Sequence, residues 1–432
     1  MTDNKTITAK QDRRLVRGVH HSTRYVLVEV SAPPALPSEG KAVRPNVNVA
    51  FVLDRSGSMA GHAKFNLAAQ AVRHGIERLE PTDRFSVVVF DHDIDVVAAG
   101  RAASPEAKGD AIRALATMSP RGNTNLGEGY LRGAEQVASG LDRDGVNRVL
   151  LLTDGQANTG ITDAGELQRH ASELRARGIN TSTFGVGQDF QEALLGGMAD
   201  AGGGAFRFIA KPEDIPGLIG SEVGELLDVT AKDAKLTVSG PAGLRVACLS
   251  PFPVEQAGGA TVLSLGDLVA DQVIRLVLRL GFPLGEAGRE TGVVLELADR
   301  GGRLVGSETL TWAFADGAAN DAQARDRDVD RAVARMFADR ALRDVVNVNR
   351  RGDWEAAREA LLAVAKRIRS YAGSDEILRG IAEELERESE NWSQMRSELE
   401  RKMRYSSSSY ALKERMLDGS ATRRPRGTDP NA

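Results

Sequence analysis

Two apolar runs in the first 160 residues of this chain end abruptly at or just before acidic residues. Val49-Ala50-Phe51-Val52-Leu53 stops at Asp54 and runs into Arg55-Ser56-Gly57-Ser58-Met59, while Val149-Leu150-Leu151-Leu152 stops at Thr153-Asp154-Gly155-Gln156. Uninterrupted runs rich in Val and Leu predict strands buried on both faces, as in a parallel sheet covered by helices. Helical spacing fills the intervals: Phe65, Ala68, Val72, Ile76 and Leu79 share one helical face. Phe85–Phe90 reads as a buried strand. Asp91-His92-Asp93 reads as a solvated hairpin turn into a short antiparallel edge strand, Ile94–Ala98, so Asp91→Ala is expected to change little. Further helices are expected at about 105–118, 126–138, 163–177, 190–201 and 212–227, with strands at 148–152, 180–186 and 205–209. The alternation predicts a doubly wound α/β domain over residues 46–228.

From Val229 the texture changes to short strand-like runs divided by Gly, Pro and Asp, at 235–239, 243–248, 260–265, 272–280, 291–297 and 303–312. No useful helix fits between them, which predicts an antiparallel β-sandwich over residues 229–315. The strand-like Thr23–Ser31 is cut off from the α/β sheet by Pro33, Pro34, Pro37 and Pro45. Within the N-terminal segment 1–45 it is the piece expected to complete the sandwich, with residues 1–20 loose. A helical region follows at 325–405. Val333, Met336 and Val345 line its first helix, and Leu361, Val364, Ala365 and Ile368 its second. A third, capped by Ser374, carries Leu378, Ile381, Leu385, Trp392, Met395 and Leu399 at near-heptad spacing. Packing on the chain itself is the plainer role for that stripe, and homo-oligomerisation the sharper one. Residues 406–432, with Ser406–Ser409 and Arg423-Arg424-Pro425-Arg426, read as a disordered tail.

Composition narrows the classes. At 432 residues the chain is long enough for two or three cores. A formal net charge of −4, with 27% charged residues, points away from nucleic acid. The single cysteine, Cys248, cannot form an intrachain disulfide, which fits a reducing compartment. The opening Met-Thr-Asp-Asn-Lys-Thr has no apolar core of signal-peptide length, and no later run approaches a membrane span, so the expected location is the cytoplasm, with no membrane partner.

The candidate chemistry sits where the strands end. Asp54, Ser56 and Ser58 are spaced by single residues, so one loop can aim a carboxylate and two hydroxyls at a common point. Thr124 within Arg121-Gly122-Asn123-Thr124-Asn125, and Asp154 after the second strand, add two more oxygens from two other loops. Such donors suit magnesium, manganese or calcium rather than zinc, and Gly122 permits close approach of its loop. His92 between two aspartates is a weaker metal candidate than a solvated turn. Neither His62 nor Arg55 has a motif supporting it as a base, no Gly-x-x-x-x-Gly-Lys-Ser/Thr loop occurs, and Gly185-Val186-Gly187 and Gly202-Gly203-Gly204 read as loop glycines.

These residues closely resemble the metal-ion-dependent adhesion site (MIDAS) of the von Willebrand factor type A (VWA) family, over roughly Asn46 to Leu227. The pattern Asp-x-Ser-x-Ser, then Thr, then Asp is matched in full by Asp54, Ser56, Ser58, Thr124 and Asp154. The resemblance implies a Rossmann-like VWA domain. It also implies a divalent ion, Mg2+ or else Mn2+ or Ca2+, held by neutral hydroxyls with the carboxylates acting mainly through water. An open position on the ion would take an Asp or Glu of a protein partner. On this basis the chain is expected to be a non-enzymatic interaction module or scaffold, with no catalytic residues. The competing classes are a metal-dependent hydrolase, and a scaffold subunit of a larger machine, such as an AAA+ ATPase assembly, in which the metal site is incidental. A single cysteine leaves no room for a RING finger.

Overall fold

The computed structural model describes residues 6–32, 44–413 and 415–417. It has two compact units, Ala35–Lys232 and Met1–Pro34 with Asp233–Ala432. The segment containing Pro33, Pro34 and Pro37, and the Arg423–Arg426 run, lie outside the described residues.

The Ala35–Lys232 unit is built on a six-stranded sheet. In spatial order its strands are Ile94–Ala102, Arg84–Phe90, Val47–Asp54, Val146–Thr153, Ile179–Val186 and Gly203–Ile209. All pairings are parallel except the first, which is antiparallel at the edge. The two runs that end in aspartate lie side by side in the centre, with Leu53 level with Leu152. Every residue of Val47–Asp54 and of Val146–Thr153 is buried, as uninterrupted apolar runs require when helices cover both faces. On one face Phe51, Leu53, Phe85 and Leu150 pack with Phe65, Val72 and Ile76 of the helix Lys64–Arg78 and with Ile219 and Val223 of Ile215–Leu227. On the other, Ala50, Val52, Val88 and Leu151 meet Tyr130 and Ala134 of Leu126–Ser139. Chain order reverses direction between the two central strands, and that switch point is where open α/β sheets place their ligands.

Several glycines expected in loops are in strands. Gly185 belongs to Ile179–Val186 and faces the Phe190 ring, which lies 2.4 Å from where a Cβ would stand. Gly203 and Gly204 begin the last strand, where a Cβ on Gly204 would meet the Thr181 carbonyl at 2.2 Å. Close approach to neighbouring atoms is what Gly185 and Gly204 demand, while Gly203 also holds φ +72, which favours glycine.

In the other unit two sheets form a sandwich. One contains Ile7–Gln11, Ser22–Ser31, Gln272–Phe282 and Arg245–Cys248, and the other Val254–Ala257, Ala260–Val269, Val229–Ser239, Glu290–Ala298, Leu304–Ala315 and Leu15–Arg17. Ser22–Ser31 pairs antiparallel along its whole length with Gln272–Phe282. Phe282 of the first sheet meets Trp312 of the second, with ring centroids 4.9 Å apart. Residues expected to be loose thus include two strands, Ile7–Gln11 and Leu15–Arg17; the first pairs antiparallel with Val26–Val30, and the second pairs parallel with Ala313–Ala315. Their polar alternation hid them: Ile7 and Val16 are buried while their neighbours are at least partly exposed.

The outer face of the first sheet carries helices. Val277 packs with Val329, Val333, Met336 and Leu412, and Tyr25 meets Phe337 edge-on at 6.3 Å. The helices are Arg327–Arg350, Trp354–Ala372, Glu376–Trp392 and Glu398–Lys413. The third is capped by Asp375, whose carboxylate accepts from the Leu378 amide, and not by Ser374. It stops at Trp392, before Met395 and Leu399, and its stripe of Leu378, Ile381, Leu385 and Trp392 is buried within this unit. Ser406–Ser409, read as disordered, lies inside the fourth helix, where Tyr405, Ser408 and Leu412 are buried. Hydroxyl residues are poor helix formers alone, but one buried turn outweighs a few tenths of a kcal/mol each in propensity. Among the described residues no helix is long and apolar enough to cross a membrane.

Candidate metal centre

Three loops leave the carboxyl edge of the central strands, and backbone hydrogen bonds tie them together. The Gly57 amide donates to the Gly122 carbonyl at 3.1 Å, the Arg121 amide to the Arg55 carbonyl at 2.7 Å, and the Asn158 amide to the Thr124 carbonyl at 3.2 Å. The Asn158 side chain returns the last contact, accepting from the Thr124 amide at 3.0 Å. Gly122 holds φ +70, and a Cβ there would meet His92 Nδ1 at 2.2 Å, so only glycine fits that turn.

The five residues singled out in the sequence are brought together. Ser58 Oγ donates to Asp154 Oδ1 at 2.6 Å, and Ser56 Oγ lies 3.1 Å from Ser58 Oγ. With the Ser58 proton committed to Asp154, Ser56 is the donor between the two hydroxyls. Asp54 Oδ1 accepts from the Ser56 amide at 2.7 Å and Oδ2 from Thr153 Oγ1 at 2.5 Å. Thr124 Oγ1 completes the set. A Cβ on Gly155 would stand 3.2 Å from it and 3.9 Å from Asp54 Oδ2, so the glycine keeps open the space that both oxygens face.

Both carboxylates are fully buried. Burial pushes the Asp54 carboxyl up to about 6, against the hydrogen bonds from Thr153 and Ser56, and the charge of Asp154 pushes the same way. No ion pair to Asp54 occurs among the described residues. A buried carboxylate without a cation, ringed by hydroxyls, fits a hard divalent ion in donor chemistry and in charge. Gly155→Ala should therefore weaken Mn2+ binding by about ten- to a hundredfold, the scale of a disturbed supporting residue, with little change in melting temperature. Isothermal titration beside a thermal melt checks both.

Several residues around the centre carried no motif. Lys64 Nζ lies 2.6 Å from Asp154 Oδ2, with its side chain 12% exposed. It opens its helix, where the dipole disfavours a cation, directly after His62 (φ 51) and Ala63 (φ 53). Left-handed backbone costs such residues about 1 kcal/mol or more each. Lysine at a helix start with no acidic residue in the first turn was the available signal. His62 itself is exposed.

The Asp91-His92-Asp93 turn is not simply solvated. Asp91 is completely buried; its carboxylate accepts from the Asp93 amide at 2.7 Å and from Arg121 Nε at 2.9 Å, and Arg55 Nε lies 2.8 Å away. Burial alone would raise its carboxyl, but the Asp93 amide, Arg121 and Arg55 together hold it below the ordinary range. Its carbonyl also accepts from the Asn125 amide, the residue after Thr124. Arg55, flanked by the metal-loop residues, is likewise buried and also pairs with Asp95. His92 and Asp93 are half exposed beside Asp91, and the three could share an ion, but the two arginines already balance Asp91.

The von Willebrand factor type A domain family model matches residues 48–219. This part of the chain is a VWA domain. Among curated relatives, the uncharacterized protein YfbK of Escherichia coli is 30% identical over 195 residues, 45% of this chain and 34% of YfbK. The uncharacterized protein sll0103 of Synechocystis sp. is 29% identical over 285 residues, 62% of this chain and 64% of that protein. The chain thus spans about a third of one relative and under two thirds of the other. Human inter-alpha-trypsin inhibitor heavy chain H3 is 28% identical over 215 residues, 23% of its length. Two solved structures share the fold over most of the chain. A von Willebrand factor type A protein from Catenulispora acidiphila has a TM-score of 0.67 at 18% identity, covering 90% of this chain and 98% of that one. The ArnB paralog VWA2 from Sulfolobus acidocaldarius has a TM-score of 0.60 at 18% identity, covering 94% and 97%. The fold likeness therefore extends well beyond residues 48–219.

Proposed function

We propose that this chain is a non-enzymatic, cytoplasmic interaction protein whose VWA domain grips an acidic side chain of a protein partner through a divalent ion, with Mg2+ the expected one. The observation that carries the reading is the meeting of the Ser56, Ser58 and Thr124 hydroxyls around the buried Asp54 and Asp154 at the sheet's switch point. A bound ion supplies positive charge and an open coordination position for an incoming carboxylate. Ser56, Ser58 and Thr124 offer it neutral oxygens, which leave more of that charge unspent than carboxylates would. Asp54 is anchored by the Ser56 amide and by Thr153, and Asp154 by Ser58 and Lys64, so both carboxylates are held in place to accept from metal-bound water.

The test is capture of partners by the full chain in magnesium and in EDTA. Wild type should retain partners only in magnesium, and Thr124→Ala, which removes one hydroxyl without changing charge, should lose them in both. Equal capture under all these conditions would favour a scaffold with an incidental metal site. Magnesium-dependent turnover of a phosphoester, lost in an Asp54 variant, would favour a hydrolase.

A further inference from the structure

Lys64 is the one residue at the centre whose placement runs against local preference three times over. Its ammonium stands at a helix N-terminus, its side chain is mostly withdrawn from water, and two successive non-glycine residues in left-handed backbone precede it. What those choices achieve is contact with Asp154 Oδ2 at 2.6 Å, on the oxygen that Ser58 leaves free. The stem also passes Gly187, where a Cβ would stand 3.7 Å from Nζ, so the lysine lies within the mouth of the sheet and not on the outer surface.

We propose that Lys64 is a built-in counter-ion that weakens the centre's hold on a divalent cation and strengthens its hold on an incoming carboxylate. This rests on the metal-site reading of Asp54, Ser56, Ser58, Thr124 and Asp154. Asp54 and Asp154 together bring two negative charges, and Lys64 cancels one. The attraction for a dication is accordingly smaller than two bare carboxylates would give. Once the site is loaded, the same lysine leaves one net positive charge where the pair of carboxylates alone would leave none. A partner's carboxylate then arrives at a site it can neutralise. At separations of a few ångströms in a partly buried site, one unit charge changes an equilibrium by tenfold or more. Lys64 is therefore a positioning and charge-setting residue, and its removal should move two affinities in opposite directions.

The experiment uses the full chain, stripped with chelator and titrated with Mn2+ while water-proton relaxation is followed, with acetate then added to displace manganese-bound water. Lys64→Met should bind Mn2+ at least tenfold more tightly than wild type and need several-fold more acetate for half displacement. Lys64→Arg, which keeps the charge, should resemble wild type in both. Should Lys64→Met fail to fold, Lys64→Gln keeps a donor to Asp154 without the charge and should show the same opposed shifts. A merely structural lysine would alter the melting temperature and leave the two affinities unmoved or falling together; with wild type binding Mn2+, that result overturns the proposal alone. If neither wild type nor the uncharged variants bind Mn2+, the metal-site reading fails and the proposal falls with it.

Discussion

Asp54→Asn should lower Mn2+ affinity at least a hundredfold, about 3 kcal/mol, and at the same time raise the melting temperature of the metal-free protein. The two effects have one cause. Asp54 is wholly buried and carries no cationic partner among the described residues, and its carboxyl is pushed from 3.8 to about 6 by desolvation first of all. A carboxyl whose folded-state value lies above its unfolded value gives stability that is complete below about pH 4 and is lost as pH rises through 6. At neutral pH the metal-free fold therefore bears an ionisation cost on the order of 2–3 kcal/mol. Asparagine removes that cost while retaining an oxygen for the Ser56 amide, and with it goes the charge that draws the ion. Thermal melts in chelator at pH 7.5 should show the variant a few degrees above wild type. In excess Mn2+ the order should reverse, because binding stabilises only wild type. A variant that melts below wild type in both buffers would make Asp54 an ordinary structural aspartate.

Asp91→Ala is expected to be the most destabilising single change near the centre, costing about 3–5 kcal/mol. Removing one partner of a buried ion pair leaves the other charge without compensation, and here Arg55, 5% exposed in its side chain, would be left with Asp95 at the surface. For a unit of this size the loss corresponds to roughly 10 °C. Asp93→Ala, in the same turn but half exposed, should stay within about 0.5 kcal/mol of wild type. Because the Asp91 carboxyl is held below its ordinary value, its stabilisation persists through neutral pH and is given up only as pH falls below the usual carboxylate range. Equal melting temperatures for the two alanine variants would show that the Asp91 pairings contribute nothing.

The contrast between Asp54 and Asp91 explains what the sequence could convey. Asp54 and Asp154 come at the ends of the apolar runs 49–53 and 149–152, so hydrophobic pattern and chemistry mark the same place, and the hydroxyl spacing after Asp54 completes the signal. Asp91 also ends a buried strand, Arg84–Phe90, but a histidine and a second aspartate follow it, and that polar texture imitates a surface turn. Its burial depends on Arg121, thirty residues on, which no local pattern announces. Lys64 was missed for a related reason: its partner is ninety residues away. Tertiary cover likewise decided the helix through Ser406–Ser409, whose own residues favour no helix, and the strands Ile7–Gln11 and Leu15–Arg17, which gain their place by pairing with the strands at 22–31 and 304–315. Where each ligand sits in a loop with its own local pattern the site was legible; where a residue gains its place through a long-range ion pair it was not.

The most direct test of the central claim is a Mn2+ titration of the metal-stripped full chain followed by water-proton relaxation, in wild type and in Thr124→Ala, with acetate added at saturation. Wild type should bind one Mn2+ per chain and surrender metal-bound water to acetate, and Thr124→Ala should bind at least tenfold more weakly with no change in charge or fold. Indistinguishable titrations for the two proteins, or a wild-type signal that acetate leaves untouched, would contradict a centre in which three hydroxyls hold an ion open to a partner's carboxylate.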